Sequence, residues 1–149
     1  MFWVCGWVEV TICQGSDKED EHAWRGVINL GALIDAPDTV SERLFGLSKE
    51  RVAERAVAKT LAGGRGIPSN PSPEVRAELN RIKQHEHEYG PGECGGYTFA
   101  TWQEVKAVDF DGEALGSSDW KLVFNLLQRL EQDHRFSDDQ IRLVVWYNW

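Results

Sequence analysis

The sequence predicts an α+β fold, with the N- and C-terminal strands in one antiparallel sheet packed against several helices. Three observations predict it. Residues 2–13 and 141–149 are long apolar runs rich in β-branched and aromatic residues, one at each end of the chain. Between them lie stretches of helical periodicity, each opened by a capping residue. And 149 residues suit one domain with a sizeable core, so 1–149 is read as a single domain.

The first run places Trp3, Cys5, Trp7 and Glu9 on one face and Phe2, Val4, Val8, Val10 and Ile12 on the other. It is apolar on both sides near its start, as a central strand should be. An acidic loop from Gln14 to His22 leads to a second strand over Trp24 to Leu30. Pro37-Asp38-Thr39 opens helical territory. Ser48 caps a predicted helix over 49–61, ended by Gly63-Gly64. Ser72-Pro73-Glu74 starts the next, with an N-cap serine, a first-turn proline and an acid suited to the dipole. Val75, Leu79 and Ile82 mark its buried face, and it ends near Tyr89-Gly90-Pro91. Gly92 to Gly96 reads as a flexible loop. Thr101-Trp102-Gln103-Glu104 is a capping box for a short helix, and Asp109 to Ser118 reads as loop. Ser118 or Asp119 caps an amphipathic helix to about 133, with Trp120, Val123, Phe124, Leu127 and Leu130 facing inward. Ser137-Asp138-Asp139 turns the chain into the final strand.

Apolar residues make up 42% and charged residues 27%, the balance of a soluble globular protein. No apolar run approaches the ~20 residues that span a bilayer, so no membrane partner is expected. Cys5, Cys13 and Cys94 follow no disulfide spacing; Cys5 and Cys13 would sit roughly 26 Å apart on one strand. A reducing cytoplasm fits best.

Charge is distributed unevenly. Residues 43–83 hold nine of the 16 Lys and Arg but four of the 24 Asp and Glu. That segment carries +5 and the remainder −13, within a net −8. The acidic total argues against general nucleic-acid binding; the local basic field suits a small anion or an acidic partner.

The turn Gly64-Arg65-Gly66-Ile67-Pro68, followed by Ser72-Pro73-Glu74-Val75, resembles a set of phage and bacterial proteins. They share a Gly/Pro-Arg-Gly-Leu-Pro turn, a Ser-x-Glu-Val helix start and a Ser/Thr-Trp-x-x-x-Glu-Leu segment. Here Thr101-Trp102-Gln103-Glu104-Val105 stands for the last of these. The ending Ile141 to Asn148 is similar to a Val-Arg-x-Val-Phe-Trp-Phe-Asp terminus found in some of them. The resemblance covers about half of the chain in patches and carries no activity. It implies a phage or prophage source, and with it the host-cell cytoplasm; small phage proteins of this size often counter host defences, so a sequestering or inhibitory role is carried forward.

The Gly-rich turn could cradle a phosphate through backbone N–H groups, with Arg65 as a bidentate clamp between Gly64 and Gly66. It lacks the P-loop pattern and follows a predicted helix, unlike a Rossmann turn. Its bland alternative is a helix C-cap with a surface arginine. Arg43, Lys49, Arg51, Arg55 and Lys59 form a basic stretch that Glu50 and Glu54 would balance. Tyr97 and Trp102, beside the second Gly-rich loop, offer rings for stacking, or else belong to the core. His85 and His87 have metal-ligand chemistry but point to different sides of a helix. No nucleophile or metal-protease motif is present, so no catalytic residue, metal or cofactor is assigned.

The resulting expectation is a non-enzymatic binding protein that sequesters a nucleotide-like anion through Arg43, Gly64, Arg65, Gly66, Tyr97 and Trp102. A site between subunits would make it a homo-oligomer, with Trp146-Tyr147-Asn148-Trp149 on an exposed terminal strand as the apolar edge. Two alternatives stand beside it. One is an inhibitor whose acidic segments 17–21 and 131–139 face a basic host enzyme. The other is a metal-dependent hydrolase using His85, His87 and the Asp109 loop.

Overall fold

Four antiparallel strands form one sheet in a computed structural model that describes residues 2–13, 15, 19–20, 23–47, 60–110, 112–133 and 135–148. The strands are β1 (Trp3–Thr11), β2 (Trp24–Asn29), β3 (Cys94–Thr101) and β4 (Ile141–Asn148), in the spatial order β2-β1-β4-β3. Thus the two ends of the chain pair at the centre, Trp3 opposite Asn148 and Val10 opposite Ile141. The fold is α+β.

The sheet divides the core in two. Val4, Val8, Val10, Ala100, Leu143 and Val145 face the larger cluster. Against them pack α1 (Thr39–Phe45), α3 (Trp102–Lys106) and α5 (Trp120–Gln132). The opposite face carries Cys5, Trp7, Tyr97, Phe99, Val144 and Trp146, covered by α2 (Pro73–Tyr89) through Val75, Leu79 and Ile82. Period-two alternation along β1 and β4 therefore feeds two hydrophobic layers, which is why these strands read as apolar on both sides.

Local chemistry sets the helix boundaries. Asp38 Oδ1 accepts from Val40 N and Ser41 N at the start of α1, both at 3.0 Å, and Gly46 ends it in the left-handed region. Ser72 Oγ accepts from Val75 N at the start of α2. Thr101 and Glu104 form the capping box of α3. At α5, Ser118 rather than Asp119 supplies the cap, its Oγ accepting from Trp120 N at 3.1 Å.

Three expectations change. The segment 92–96 is not wholly loop: β3 begins at Cys94 and runs through Gly95 and Gly96. Residues 109–118 contain a helical turn, α4 (Gly112–Gly116). The terminal strand offers no edge, because β4 lies between β1 and β3 and is buried from Ile141 to Trp146. Its hydrogen-bonding sides are already taken, so it cannot pair with a second copy. The predicted helix 49–61, with Lys49, Arg51, Arg55 and Lys59, lies outside the described residues.

Candidate functional site

Folding places the Gly-rich turn along the outer side of β3. Gly66 N donates to Tyr97 O at 2.9 Å, and Arg65 N donates to Thr98 Oγ1 at 3.3 Å. Thr98 Oγ1 donates in turn to Ala62 O. Gly66 has φ +80°, a left-handed value that a side chain would strain, and this bends the chain back over the strand. The turn thereby covers an open sheet edge, a usual way of blocking strand addition.

Arg65 completes this cover. Its Nη1 and Nη2 meet Glu104 Oε1 and Oε2 at 3.0 and 2.7 Å, a bidentate pair reaching α3. The same two nitrogens donate to Phe99 O and Leu61 O, both at 3.3 Å. The fork expected to hold a phosphate thus holds a carboxylate of its own chain. Arg65 ties the turn to β3 and α3 in this arrangement.

The other expected site residues separate. Trp102 packs in the larger cluster, its ring 5.7 Å from Phe124, and its Nε1 donates to Glu131 at 3.2 Å. Arg43, on α1, lies 5.5 Å from the Phe110 ring, which with Trp102 lines a hollow of about 450 Å³ beside α5. Tyr97 points to the opposite face of the sheet, 5.9 Å from the Trp146 ring. Tyr97 therefore shares its surroundings with the Gly-rich turn, and Trp102 and Arg43 share a different one.

Around Tyr97 there is a groove of about 490 Å³ between α2 and the loop that follows Gly66. Ile67 and Pro71 form one wall; Leu79 and Ile82 of α2 form the other. Arg76, Asn80, Lys83 and Glu86 line it from α2, the first three at spacings of four and three that place them on one helical side. Burial, reinforced by Cys94 and Glu86, pushes the Tyr97 phenol up to about 12, so its hydroxyl stays a donor at neutral pH. Apolar walls, one phenol and two cations on a helix can hold a flat ring bearing negative charge. Arg76 and Lys83 are not among the expected site residues, although the basic segment contains both and their seven-residue spacing puts them two turns apart.

The groove wall is anchored from beneath. Glu9 is fully buried and Arg142 is 5% exposed. Arg142 Nε lies 2.6 Å from Glu9 Oε1, and Ser72 N donates to Glu9 Oε2 at 2.6 Å. Arg142 Nη1 and Nη2 donate to Asn70 Oδ1 and Asn70 O at 3.0 and 2.8 Å, with the Trp24 ring 3.9 Å from the guanidinium. Loop 66–71 is thus held at Gly66 by β3 and at Asn70 by the sheet centre.

No family model, curated protein or solved structure matches the chain. Its functional reading therefore rests on geometry.

At the end of α2, His85 Nε2 lies 2.7 Å from Glu93 Oε2, and its ring packs 4.8 Å from Tyr89. His87 and Asp109 are exposed elsewhere. Among the described residues no three His, Cys, Asp or Glu side chains converge as a metal centre requires. The cysteines are free, and burial pushes the Cys5 thiol up to about 11, which disfavours a nucleophilic thiolate. Among the described residues no helix is long and apolar enough to cross a membrane.

The Arg65–Glu104 tie has a pH signature. The Arg65 hydrogen bond holds the Glu104 carboxyl below its usual range, against a smaller opposing effect of burial. Burial opposes ionisation of Glu74 as well, but hydrogen bonds from Gly26 N and Arg25 outweigh it. A carboxyl lowered on folding contributes stability that is fully present above its unfolded value of about 4.3 and lost as pH falls through the folded one. Stability should therefore decline as pH drops from about 5 toward 3. Glu104→Gln should cost about 1 kcal/mol at neutral pH and make that decline shallower. Urea melts of parent and variant across this window check it; parallel declines would remove Glu104 from the acid response.

Proposed function

We propose that the chain is a non-enzymatic binding protein for a small, ring-bearing anion of nucleotide-like class, held in the groove between α2 and loop 66–71. One observation carries the reading: the groove brings the Tyr97 ring together with Arg76 and Lys83 between apolar walls. The ring of a ligand would lie against Tyr97, Ile67 and Leu79, and its charge would meet the two cations. This gives affinity without a reacting group, since the residues assigned to the ligand are one phenol, two cations and apolar walls. A ligand held in this way is sequestered. For a phage-borne chain, as the motif resemblance implies, sequestration of a nucleotide signal would counter a host defence.

Calorimetric titration with a panel of linear and cyclic nucleotides tests this. Tyr97→Ala and Lys83→Ala should each weaken binding about tenfold or more. Arg65→Ala should act through the loop it secures, so its loss of affinity should accompany a loss of stability. If the parent binds none of the panel, the groove reading falls and the acidic-inhibitor reading takes its place.

A further inference from the structure

The groove does not end at Tyr97. A second hollow, of about 370 Å³, adjoins it under the C-terminal half of α2, and both are lined by Ile82 and Glu86. Their charge balance differs. Arg76 and Lys83 outnumber the shared Glu86 in the first, whereas Glu78, Glu86 and Glu93 stand against Arg81 and His85 in the second.

Several of these groups are already engaged. Arg76 has a partner of its own, Glu78 Oε2 accepts from Trp7 Nε1 at 2.5 Å, and Glu93 faces His85. The Glu86 side chain has no ion pair or hydrogen bond among the described residues. It stands at the junction of the two hollows, close enough to Tyr97 and Cys94 to add to the rise that burial gives both of their pKa values. From Arg76 to Glu86 is about 15 Å along the helix, and Lys83 to Glu86 is a single turn.

Resting on the anion-binding reading of the first hollow, we infer that the ligand is amphoteric: a ring with an anionic group at one end and an amine at the other. The anion meets Arg76 and Lys83, the ring lies along Tyr97 and Ile82, and the ammonium meets Glu86. A simple anion would gain nothing from the second hollow and would be repelled by its carboxylates. An amine placed there converts that repulsion into attraction, in a partly enclosed setting where a charge-assisted hydrogen bond is strongest.

Titration with phenyl phosphate and with phosphotyramine separates the two readings. These probes share ring and phosphate, and only the second carries an amine. Phosphotyramine should bind about tenfold more tightly than phenyl phosphate. Glu86→Gln should abolish that advantage and leave phenyl phosphate affinity no weaker. Equal affinities in the parent, or an advantage that survives Glu86→Gln, would overturn the amphoteric inference while leaving the anion site standing. Failure of both probes alongside binding of a nucleotide would also overturn it alone. Failure of both probes and every nucleotide would overturn the anion site as well.

Discussion

Trp120→Ala should lower stability by about 3–5 kcal/mol. Trp120 is fully buried at the first turn of α5, with Phe45 at 5.4 Å and Phe124 at 6.1 Å between ring centroids. Its Nε1 donates to Ser41 Oγ at 2.7 Å, tying α5 to α1 across the larger core cluster. Truncation removes the ring from both contacts and leaves a cavity that the surrounding sheet and helices can fill only in part. Trp120→Phe should cost less, because it retains most of the apolar volume and loses the hydrogen bond. Ser41→Ala isolates the polar component, about 1–3 kcal/mol for an indole N–H left buried without a partner. Thermal melts check the series. For a chain of this length about 2–4 °C corresponds to 1 kcal/mol, so a Trp120→Ala midpoint within 3 °C of the parent would show that the core does not depend on this ring.

The legibility of this fold in its sequence follows the range of the interactions. Helix α5 and the capping box of α3 are local, and their signals lie within a few residues: the stripe of Trp120, Val123, Phe124 and Leu127, and the pair Thr101 and Glu104. The alternation along β1 is local too, so its two faces were readable. Strand β3 was missed because its demands come from across the sheet. A Cβ on Gly95 would stand 2.5 Å from Tyr147 Oη, and one on Gly96 would stand 2.7 Å from the Tyr147 ring. The two glycines admit a neighbour's ring, but a local window reads them as a turn. Arg65 carries the same lesson for the site. Flanking glycines made it resemble a free anion clamp, while its partner Glu104 lies 39 positions on. Tyr97 is the expected site residue that lines the groove; Arg76 and Lys83 join it there only because folding brings loop 66–71 beside α2.

The Glu9–Arg142 ion pair carries the other large expected effect. Arg142→Met should destabilise by about 3–5 kcal/mol, because it leaves the Glu9 carboxylate fully buried without its cation. Glu9→Gln should be comparably costly for the opposite reason, since Arg142 then keeps its charge at 5% exposure. Burial already pushes the Arg142 pKa down against the pull of Glu9, which shows how dearly that charge is held. Each single change strands one charge, so the combined Glu9→Gln and Arg142→Met variant should be less damaged than the two effects added. It should not return to parent stability. Arg142 also donates to Asn70 Oδ1 and O, and those two hydrogen bonds are lost in any background lacking the guanidinium. The residual loss in the double variant therefore measures how firmly the pair anchors loop 66–71. Because that loop is one wall of the groove, the double variant should bind any nucleotide that the parent binds more weakly than its remaining stability alone would require. Chemical denaturation of the four proteins gives the coupling energy, and calorimetry on the folded double variant gives the affinity. Strictly additive losses would deny the ion pair its role, and unchanged affinity would free the groove from its anchor.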